Sequence, residues 1–566
     1  MSIIRLQEGN CQNCYKCIRG CPIKAIEFKD GRAAVIEEDC ILCGRCVKNC
    51  PQNAKYVVSE LDRVKRLLAG EKPVYVTVAP SWSGYWGTTD FGRLTAALKS
   101  LGFQGVEETA IGAYEVSKEY AALMEKGEMR NVIVTACSSL VSLVEKHYPK
   151  LISALAPVSS PMMAHARMMR ESYGDIKVVF IGPCFSKKSE AADPLAGGLV
   201  DNVLTFDELD QWIAEEGLSL DGEDSSAPGV AHPIARLYPT PCGIVKTIAP
   251  EALTNYRTVT VDGFDRCLDL LDAMEHDNLT GLFVEANICA GSCLGGPVMR
   301  LKRKNPVVAQ GFVSEQRQER DDRVPESCRQ ELFHPRVFAN RAPRYDMPTE
   351  EQIAKILAKT GKFTKEQELN CGSCGYASCR EKAIAVYQGK ADINMCLPFF
   401  RERAENLSNT VLSNSPNAIF ALDGDLLIQD MNPMAETMFG LTRKDALGLP
   451  LDLYLKDLDF EAARKEQRPA VTKAEYEDLG KIAEQTVVYV KEHNMYVAFV
   501  KDITQETRDE AEMEALRRHT VETAQQVIDK QMRVAQEIAS LLGETTAETK
   551  VALTKLKKSM AENAGE

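Results

Sequence analysis

Short runs of β-branched and other apolar residues alternate with helical patterns from about residue 72 to residue 343. The apolar runs read VYVTVAP, NVIVTAC, KVVFIGPC and GLFVEANIC, and the helical patterns include GRLTAALKSLGF and SKEYAALMEKG. Strands that alternate with helices are typical of parallel sheets covered by helices. This region is therefore predicted to form an α/β domain.

The later part of the chain carries two further patterns. Residues 405–505 alternate short strands and helices, and the tail from Glu506 onward reads as helical. In the tail, mostly apolar residues step by three and four positions, which predicts a seam for another helix. The seam consists of Val521, Ala524, Ile528, Gln531, Ala535, Ile538 and Leu542. It packs either on its own chain or on a partner, and we favour dimerisation or partner docking because no other domain follows to bury it.

Length and charge narrow the class of protein. With 566 residues the chain is too long for one hydrophobic core, so several domains are expected. The 68 basic and 81 acidic residues give a formal charge of −13, which argues against general affinity for nucleic acid or for an anionic membrane. The start, MSIIRLQEGN, lacks the features of a signal peptide, and no apolar run reaches membrane-spanning length, so a cytoplasmic protein is expected.

Nineteen cysteines are the most unusual feature of the composition. In a large chain without an export signal, metal ligation explains them better than disulfides do. Two segments, CQNCYKCIRGCP and CILCGRCVKNCP, share the pattern C-x2-C-x2-C-x3-C-P. In that pattern three thiolates wrap one cubane and the fourth ligates the other cluster, whereas a zinc site would need neither the doubled pattern nor the trailing proline. The predicted ligands are Cys11, Cys14, Cys17 and Cys50 for cluster 1, and Cys40, Cys43, Cys46 and Cys21 for cluster 2.

This N-terminal module resembles a bacterial two-cluster ferredoxin. A third group of cysteines, in NCGSCGYASCREKA and MCLP, resembles the small iron–sulfur domain of corrinoid proteins and electron-transport complexes. Its members are Cys371, Cys374, Cys379 and Cys396. A third [4Fe–4S] cluster is expected there, and a zinc knuckle is the alternative.

Four more cysteines lie at the ends of predicted strands in the α/β region, where such folds place their sites. Each of them alone could be an ordinary buried cysteine. Together, and with a lysine, a glutamate and two glycines at fixed offsets, they suit one metal cluster in an interior cavity. These residues are Cys137, Cys184, Cys289 and Cys293, accompanied by Lys187, Glu190, Gly295 and Gly296.

The loops that carry these cysteines resemble the signature loops of [FeFe]-hydrogenases. VTACSSLVSLVEKHYP aligns without a gap to the first loop, T-S-C-C-P-x-W. GPCFSKKSE matches the second, M-P-C-x-x-K-x-x-E, from its proline onward. EANICAGSCLGG matches the third, E-x-M-x-C-x-x-x-C-x-x-G-G, in its Glu, both Cys and both Gly. The resemblance covers roughly residues 1–340.

The resemblance implies an H-cluster, which is a [4Fe–4S] cubane joined through a cysteine sulfur to a two-iron unit with CO, cyanide and a dithiolate bridge. Cys137, Cys184, Cys289 and Cys293 would hold the cubane, with Cys293 as the bridge. Lys187 would donate to an iron-bound cyanide, a charge-assisted contact, and Glu190 completes the second-loop motif. The implied reaction is the reversible cleavage of H2 into protons and electrons.

Several positions depart from the family pattern. The proton-relay cysteine of the first loop falls on Ala136, whose methyl group cannot carry a proton. The positions that usually carry relay glutamates fall on Tyr120 and Leu123, so the usual proton route is expected to be absent. Of the remaining cysteines, Cys242, Cys267 and Cys328, all three are expected to be core thiols, with Cys242 a weak candidate for a substitute relay.

The segment VLSNSPNAIFALDGDLLIQDMNPMAETMFGLTRKDALGLPL resembles the opening of a PAS domain, and VVYVKEHNMYVAFVKDIT resembles its closing strands and exit. A lone histidine, His493, is more readily explained as a structural residue than as a haem ligand. The resemblance implies a dimerising transmitter domain.

The predicted fold class is a multidomain α/β protein with an α+β ferredoxin-like N-terminus, an α/β H-cluster domain, a small iron–sulfur domain, an α+β PAS domain and C-terminal helices. The predicted boundaries are 1–56, 57–345, 346–400, 401–505 and 506–566. The predicted function is H2 sensing by a slow [FeFe]-hydrogenase that is coupled through its iron–sulfur clusters to a PAS output. The predicted partners are H2 and protons, a ferredoxin-like electron carrier, an unidentified signalling protein and a second copy of the chain, with no nucleic acid and no membrane.

Two alternatives stay open. One is an ordinary ferredoxin-dependent hydrogenase that evolves or oxidises H2 through some other proton path. The other is a non-catalytic iron–sulfur carrier or scaffold on a hydrogenase-like fold.

Overall fold

A computed structural model of the chain describes residues 2–29, 31–220, 232–277, 279–316, 336–542 and 546–562. The chain divides into two units, residues 1–400 and residues 401–566. Cys328, one of the expected core thiols, lies outside the described residues. None of the described helices combines the length and the apolar character that a membrane span requires.

The first unit contains most of the secondary structure. Its strands are β1 (Ile4–Leu6), β2 (Ile26–Lys29), β3 (Arg32–Val35), β4 (Lys55–Val57), β5 (Val74–Val78), β6 (Gly105–Glu108), β7 (Asn131–Ile133), β8 (Lys177–Gly182), β9 (Asn202–Thr205), β10 (Arg257–Asp262) and β11 (Leu282–Asn287). Its helices are α1 (Lys16–Arg19), α2 (Arg45–Asn49), α3 (Leu61–Leu68), α4 (Trp82–Trp86), α5 (Phe91–Ser100), α6 (Ala110–Lys126), α7 (Ser138–His147), α8 (Pro161–Tyr173), α9 (Ser186–Ala191), α10 (Phe206–Glu215), α11 (Phe264–His276), α12 (Pro297–Leu301), α13 (Pro306–Gln316), α14 (Glu350–Ala358) and α15 (Cys379–Tyr387). The next helix, α16 (Leu397–Ser413), contains the division point between the units.

The N-terminal module is a small α+β structure with an internal repeat. β1 pairs antiparallel with β4, and β2 pairs antiparallel with β3. The helices α1 and α2 each follow a residue with positive φ, Tyr15 at 55° and Gly44 at 72°, and each carries the third cysteine of its motif. This arrangement agrees with the predicted ferredoxin-like fold.

The α/β region contains two parallel sheets. One has the strand order β6-β5-β8-β9 and the other the order β10-β11-β7. Every pairing in both sheets is parallel, because helical connections return the chain to the same edge of the sheet before each new strand. Strand residues such as Val132, Val178 and Val284 are fully buried, as expected for sheets that are covered on both faces. The predicted parallel α/β layering is confirmed, whereas its division into two sheets was not predicted.

The small cysteine-bearing module packs against the N-terminal module. α14 and α15 contact each other through Ile353, Leu357 and Ala383. Tyr376 lies in a shared apolar cluster with Ile18 of α1. The interface is close at Gly375, which has a φ of 93° and whose added Cβ would lie 2.9 Å from the Ile18 side chain.

The second unit contains one antiparallel sheet and the C-terminal helices. Its strands are β12 (Ala418–Leu422), β13 (Ile428–Met431), β14 (Ala470–Tyr476), β15 (Lys481–Val490) and β16 (Met495–Asp502), in the order β13-β12-β16-β15-β14. Its helices are α17 (Pro433–Phe439), α18 (Arg443–Ala446), α19 (Phe460–Glu466), α20 (Thr504–Leu542) and α21 (Thr546–Glu562). The predicted α+β domain and helical tail are both confirmed. Of the predicted seam on α20, Val521 and Ile538 are exposed.

Candidate active site

Four predicted cluster ligands meet at one cavity in the α/β region. Cys184 follows β8, Cys289 follows β11, and Cys137 directly precedes α7. Cys293 lies in a 3-10 turn, Ser292–Gly295. All four line a cavity of about 50 Å³. Thiols that follow strands of the two different sheets therefore converge on one place.

A second cavity, of about 80 Å³, shares part of its wall with the first. Cys184, Cys293, Lys187, Ala136 and Asn287 line both cavities. Most of the remaining wall is apolar or weakly polar, and it is formed by Ala79, Pro80, Ala113, Pro161, Met162, Phe180, Pro183, Pro239 and Ile244, with Ser81, Thr109 and Tyr238 as polar exceptions. The thiol-lined compartment thus adjoins a mostly apolar one.

Lys187 is held beside the cavities by a buried ionic network. Its Nζ forms an ion pair with Glu190 at 2.6 Å and donates a hydrogen bond to the Ala136 carbonyl oxygen at 3.2 Å. Arg336 contacts the other oxygen of Glu190 at 2.6 Å, and the Ser138 hydroxyl donates to Glu190 at 2.5 Å. Burial raises the pKa of Glu190, but the charges of Lys187 and Arg336 outweigh it and lower the pKa to about 2.

Three of the thiols around the cavity have raised pKa values, which opposes their ionisation. Burial raises the pKa of Cys137 and of Cys289, and it raises that of Cys293 to about 12. Nearby thiolates, including that of Cys184, raise all three further. The accessible surface of Cys293 opens on the cavities it lines. Thiolates gathered in this way need a positive charge between them, and a cluster of iron ions supplies one.

Glu285, the glutamate of the third-loop motif, is a buried acid. Its Oε2 accepts a hydrogen bond from the Val245 backbone N–H at 2.9 Å, and its Oε1 has no hydrogen-bond partner among the described residues. Burial raises the pKa of Glu285 to about 7, although backbone hydrogen bonds lower it. A sequence match to the third loop identifies this glutamate, but only burial makes it titrate near neutral pH.

The remaining predicted residues lie outside the two cavities. The Cys242 thiol is half-buried and donates to the Thr260 hydroxyl at 3.3 Å, so its candidacy as a relay gains no support and it is not a core thiol. Cys267 is fully buried, as expected for a core thiol. Tyr120 lies on α6 and its hydroxyl accepts a hydrogen bond from the Thr135 backbone N–H at 2.9 Å, and Leu123 is half-buried on the same helix.

The N-terminal module approaches the thiol-lined cavity through its second motif. Cys43 and Cys289 line one cavity of about 340 Å³. The charges of Cys43 and Cys184 are also close enough to interact. Within the module, Cys21 interacts electrostatically with Cys40 and Cys43, which are members of the other motif. In the predicted pattern the fourth cysteine of each motif ligates the cluster of the other motif, and Cys21 lies close enough to the second motif to do so.

The third group of cysteines sits beside two buried lysines. Lys362 Nζ lies 3.5 Å from Cys396 Sγ, and Lys382 interacts electrostatically with Cys396 and Cys374. Tyr376 lies within reach of the charges of both Cys374 and Cys21, so it stands between this module and the first-motif cysteine that is predicted to ligate cluster 2. Within the described ranges, no three His, Cys, Asp or Glu side chains are grouped closely enough to hold a single metal ion.

Comparison with protein families assigns a known domain to each of these regions. Residues 72–297 match the C-terminal domain of the iron-only hydrogenase large subunit. Residues 3–57 match the 4Fe-4S dicluster domain, residues 367–398 match a family of small Fe-S cluster segments, and residues 407–503 match the PAS fold. These matches establish the domain types that the motifs predicted and the iron–sulfur and H-cluster cofactors that such domains hold.

Similar proteins include a hydrogenase subunit and a cluster assembly factor. The NADP-reducing hydrogenase subunit HndD of Solidesulfovibrio fructosivorans is 24% identical over 269 residues, which are 43% of each chain. The cytosolic Fe-S cluster assembly factor NAR1 of Vanderwaltozyma polyspora is 33% identical over 111 residues, 19% of this chain and 21% of that one. The chain therefore spans less than half the length of these curated relatives.

Solved structures with a similar course of the chain include apo [FeFe]-hydrogenase HydA1 from Chlamydomonas reinhardtii, with 17% identity and a TM-score of 0.39 over 50% of this chain and 100% of that one. Another is the PAS domain of an HTR-like protein from Haloarcula marismortui, with 19% identity and a TM-score of 0.16 over 18% of this chain and 99% of that one.

Proposed function

We propose that this chain, which carries an iron-only hydrogenase large-subunit domain between a 4Fe-4S dicluster domain and a PAS domain, is a slow hydrogenase that reports the presence of H2. The observation that carries the proposal is the pair of adjoining cavities. All four thiols line the first cavity, and the second, mostly apolar cavity shares Cys184, Cys293, Ala136 and Lys187 with it. The first provides a place for a cluster and the second a place for chemistry beside it.

The residues present fit an H-cluster by the chemistry of their donors. Cys137, Cys184, Cys289 and Cys293 would hold its cubane, and Cys293, which lines both cavities, would join it to the two-iron unit. When bound, the cluster supplies the reversible cleavage of H2 and accepts the electrons. The chain's own contribution is to orient the group, because the Lys187 ammonium is fixed at the edge of both cavities by Glu190.

Slow turnover is expected because the residue before Cys137 is an alanine. Ala136 lines the cavity in which protons would be exchanged, and its methyl group neither donates nor accepts one. General acid–base help typically contributes about 10²–10⁴ in rate. A site without it suits detection better than bulk conversion of H2.

Electrons would leave through the dicluster module. Cys43 of the predicted cluster 2 shares a cavity with Cys289, and Tyr376 links the same cluster to the third one. Cys14 of the predicted cluster 1 is exposed, which suits exchange with an external ferredoxin-like carrier. The redox state would then bias the PAS domain and the helix α20, whose exposed Val521 and Ile538 suit contact with a second copy or a signalling protein.

A non-catalytic iron–sulfur protein is the second candidate. It is favoured by the similarity to NAR1, whose name describes a cluster assembly factor, and by the alanine at position 136. The retained pair Lys187–Glu190 favours the hydrogenase instead, because it matches the second-loop motif of that family and holds an ammonium group at the edge of both cavities. An ordinary, fast hydrogenase is disfavoured by Ala136 and by the attached PAS domain.

Hydrogen–deuterium exchange of the matured full chain tests whether H2 is sensed. We expect amide exchange in the PAS sheet or in α20 to differ between samples under H2 and samples under inert gas. The Cys293→Ser variant, which should retain the dicluster module, is the control and should show no difference. Identical exchange in the parent under both gases, in a sample shown to react with H2, would contradict a sensory function.

A further inference from the structure

We propose that His165 and Glu107 form a proton relay between the cavity beside Ala136 and the protein surface. The inference deepens the proposed function and rests on it, since a relay is needed only if protons are exchanged in that cavity. It concerns residues that belong to none of the cysteine motifs.

A continuous chain of hydrogen bonds connects the cavity to the surface. Thr109, which lines the cavity, is hydrogen-bonded through its hydroxyl to Thr77 at 2.7 Å. The Thr77 hydroxyl contacts His165 Nδ1 at 2.7 Å, and His165 Nε2 contacts Glu107 Oε2 at 2.9 Å. The Tyr173 hydroxyl donates to Glu107 Oε1 at 2.5 Å. Each contact is short enough for a proton to pass between its two atoms.

The residues that form this series of hydrogen bonds become more exposed to solvent from the cavity toward the surface. Thr77 is fully buried, His165 is 1% exposed and Glu107 is 8% exposed, whereas Tyr173 at the outer end is 47% exposed. The helix α8 follows the same direction, because Pro161 at its start lines the cavity and Tyr173 is its last residue. Thirteen helical residues extend about 20 Å, which is enough to join an interior cavity to solvent.

The proton balance of the relay is simple. A proton released in the cavity binds the Thr109 oxygen while the Thr109 hydroxyl proton passes to Thr77 and the Thr77 proton passes to His165 Nδ1. The Nε2 proton of His165 then moves to Glu107, which releases a proton to solvent beside Tyr173. One proton enters, one leaves, and no electron or other reactant is needed. Rotation of the two hydroxyls, and rotation of the imidazole about its Cβ–Cγ bond so that the proton on Nδ1 turns away from Thr77 toward Glu107, reset the chain for the next proton.

A purely structural ion pair is the alternative explanation, and two observations favour the relay over it. Burying an ionisable pair is often no more stabilising than packing apolar side chains of similar volume, so this pair has no evident structural advantage. In addition, both nitrogens of His165 are engaged, one toward the cavity and one toward the surface, which is the arrangement that a shuttling imidazole needs.

The close approach of α6 to α8 at His165 depends on Gly112. A Cβ added to Gly112 of α6 would lie 2.7 Å from the His165 Cβ and 2.6 Å from the Pro161 carbonyl oxygen. Only a residue without a side chain therefore allows α6 to pass α8 at this point. The imidazole is thus held next to Thr77 by backbone packing as well as by its hydrogen bonds.

The test uses the matured full chain and the variants His165→Gln and Glu107→Gln. Glutamine at position 165 can still accept from Thr77 and donate to Glu107, but it cannot pass a proton along. After a rapid step in pH under H2, infrared bands of the cavity-bound cluster should approach their new intensities roughly 10²-fold more slowly in each variant. The solvent hydrogen–deuterium isotope effect on that relaxation should also change.

Glu108→Gln is the matched control, because Glu108 is the next residue on β6 and is also buried in an ion pair, with Arg236 at 2.6 Å. It should relax like the parent. Iron content and urea unfolding of all variants separate a lost relay from a lost fold, and Glu107→Gln provides a second route if His165→Gln is unstable. A parent without diatomic infrared bands would overturn the proposed function together with the relay. A reactive parent with equal relaxation in all variants would overturn the relay alone, as would equal slowing in Glu108→Gln.

Discussion

The Lys187 ammonium donates a hydrogen bond to the carbonyl oxygen of Ala136 at 3.2 Å while it pairs with Glu190 at 2.6 Å. Two of the three signature loops are thereby locked to each other at the wall of both cavities. The backbone at position 136 is fixed by this contact and not by its own side chain. A different small side chain at this position should therefore enter the site without displacing the loop.

Replacing Ala136 by cysteine should accelerate the enzyme. A thiol can donate and accept a proton at neutral pH, whereas the methyl group cannot, so H2 evolution from a reduced dye should rise by roughly 10²-fold. Ala136→Ser is the matched control, since its hydroxyl has a similar size but is a much weaker acid, and its rate should stay near that of the parent. Equal rates in all three proteins would show that the missing thiol does not limit turnover.

Removing the charge of Glu190 should destabilise the hydrogenase domain. Glu190→Gln leaves Lys187 and Arg336 buried without a counter-charge, which typically costs about 3–5 kcal/mol. The three tryptophans of the chain, Trp82, Trp86 and Trp212, all lie in this domain, so fluorescence during urea unfolding measures its stability. Asp175→Asn removes an exposed pair with Lys72 in the same domain and should change little. A glutamine variant as stable as the parent would contradict the account of this network.

The same glutamate should give the parent an acid-sensitive stability. Because the pKa of Glu190 is about 2 in the folded chain against an ordinary value of 4.5, its stabilisation is complete above the ordinary value and is lost as the pH falls toward the lower one. The free energy of unfolding should therefore fall more steeply with acid in the parent than in Glu190→Gln. Parallel curves for the two proteins would mean that Glu190 does not titrate in this range.

Docking of the third cluster module should depend on Gly375 but not on Gly372. Both glycines have positive φ, 93° and 68°, so alanine is strained at either position. Only at Gly375 would the new Cβ collide with the N-terminal module, at 2.9 Å from the Ile18 side chain. Gly375→Ala should therefore weaken the magnetic coupling between the reduced clusters in electron paramagnetic resonance spectra. Gly372→Ala should retain it, and equal spectra for both variants would contradict the docking.

The two buried lysines should set the reduction potential of the third cluster. Lys362 lies 3.5 Å from the Cys396 sulfur, and a nearby positive charge favours the reduced, more negative cluster. Lys362→Met should lower the midpoint potential by about 50 mV or more, since two unit charges about 4 Å apart interact by about 1 kcal/mol in bulk water and by more in the lower dielectric of a protein. Lys365→Met, at an exposed position nearby, is the control and should leave the potential unchanged. A midpoint that does not move in Lys362→Met would place the cluster away from this lysine.

The cysteine motifs and the domain types could be predicted from the sequence because cluster ligands are closely spaced along the chain. The strands around Val132 and Val178 were recognisable for a similar reason, since a fully buried strand is a continuous apolar run. Pairing between strands is non-local, and nothing in the individual runs indicates that they divide into two sheets. The thiols of Cys137 and Cys184 could be expected to meet because both follow predicted strands of an α/β region, and the family resemblance strengthened that expectation.

The interactions that the sequence did not reveal are long-range and involve ordinary residue types. Arg336 reaches Glu190 across a large separation in the chain, and no spacing rule connects the two. Glu107 stands in a pair of adjacent glutamates and His165 in a methionine-rich helix, so neither has a recognisable pattern. Their contact depends on how α8 packs beside β6, which is a property of the folded chain. Glu285 was visible as a motif residue, but its raised pKa was not.

Infrared spectroscopy of the matured full chain, under inert gas and then under H2, shows whether these four thiols hold a hydrogenase cluster. Bands of bound CO and cyanide should appear and should shift when H2 is admitted, and Cys293→Ser should remove them while the spectra of the dicluster module persist. Diatomic bands that are missing from a fully matured parent, or that survive unchanged in Cys293→Ser, would contradict a hydrogenase site built on these four thiols.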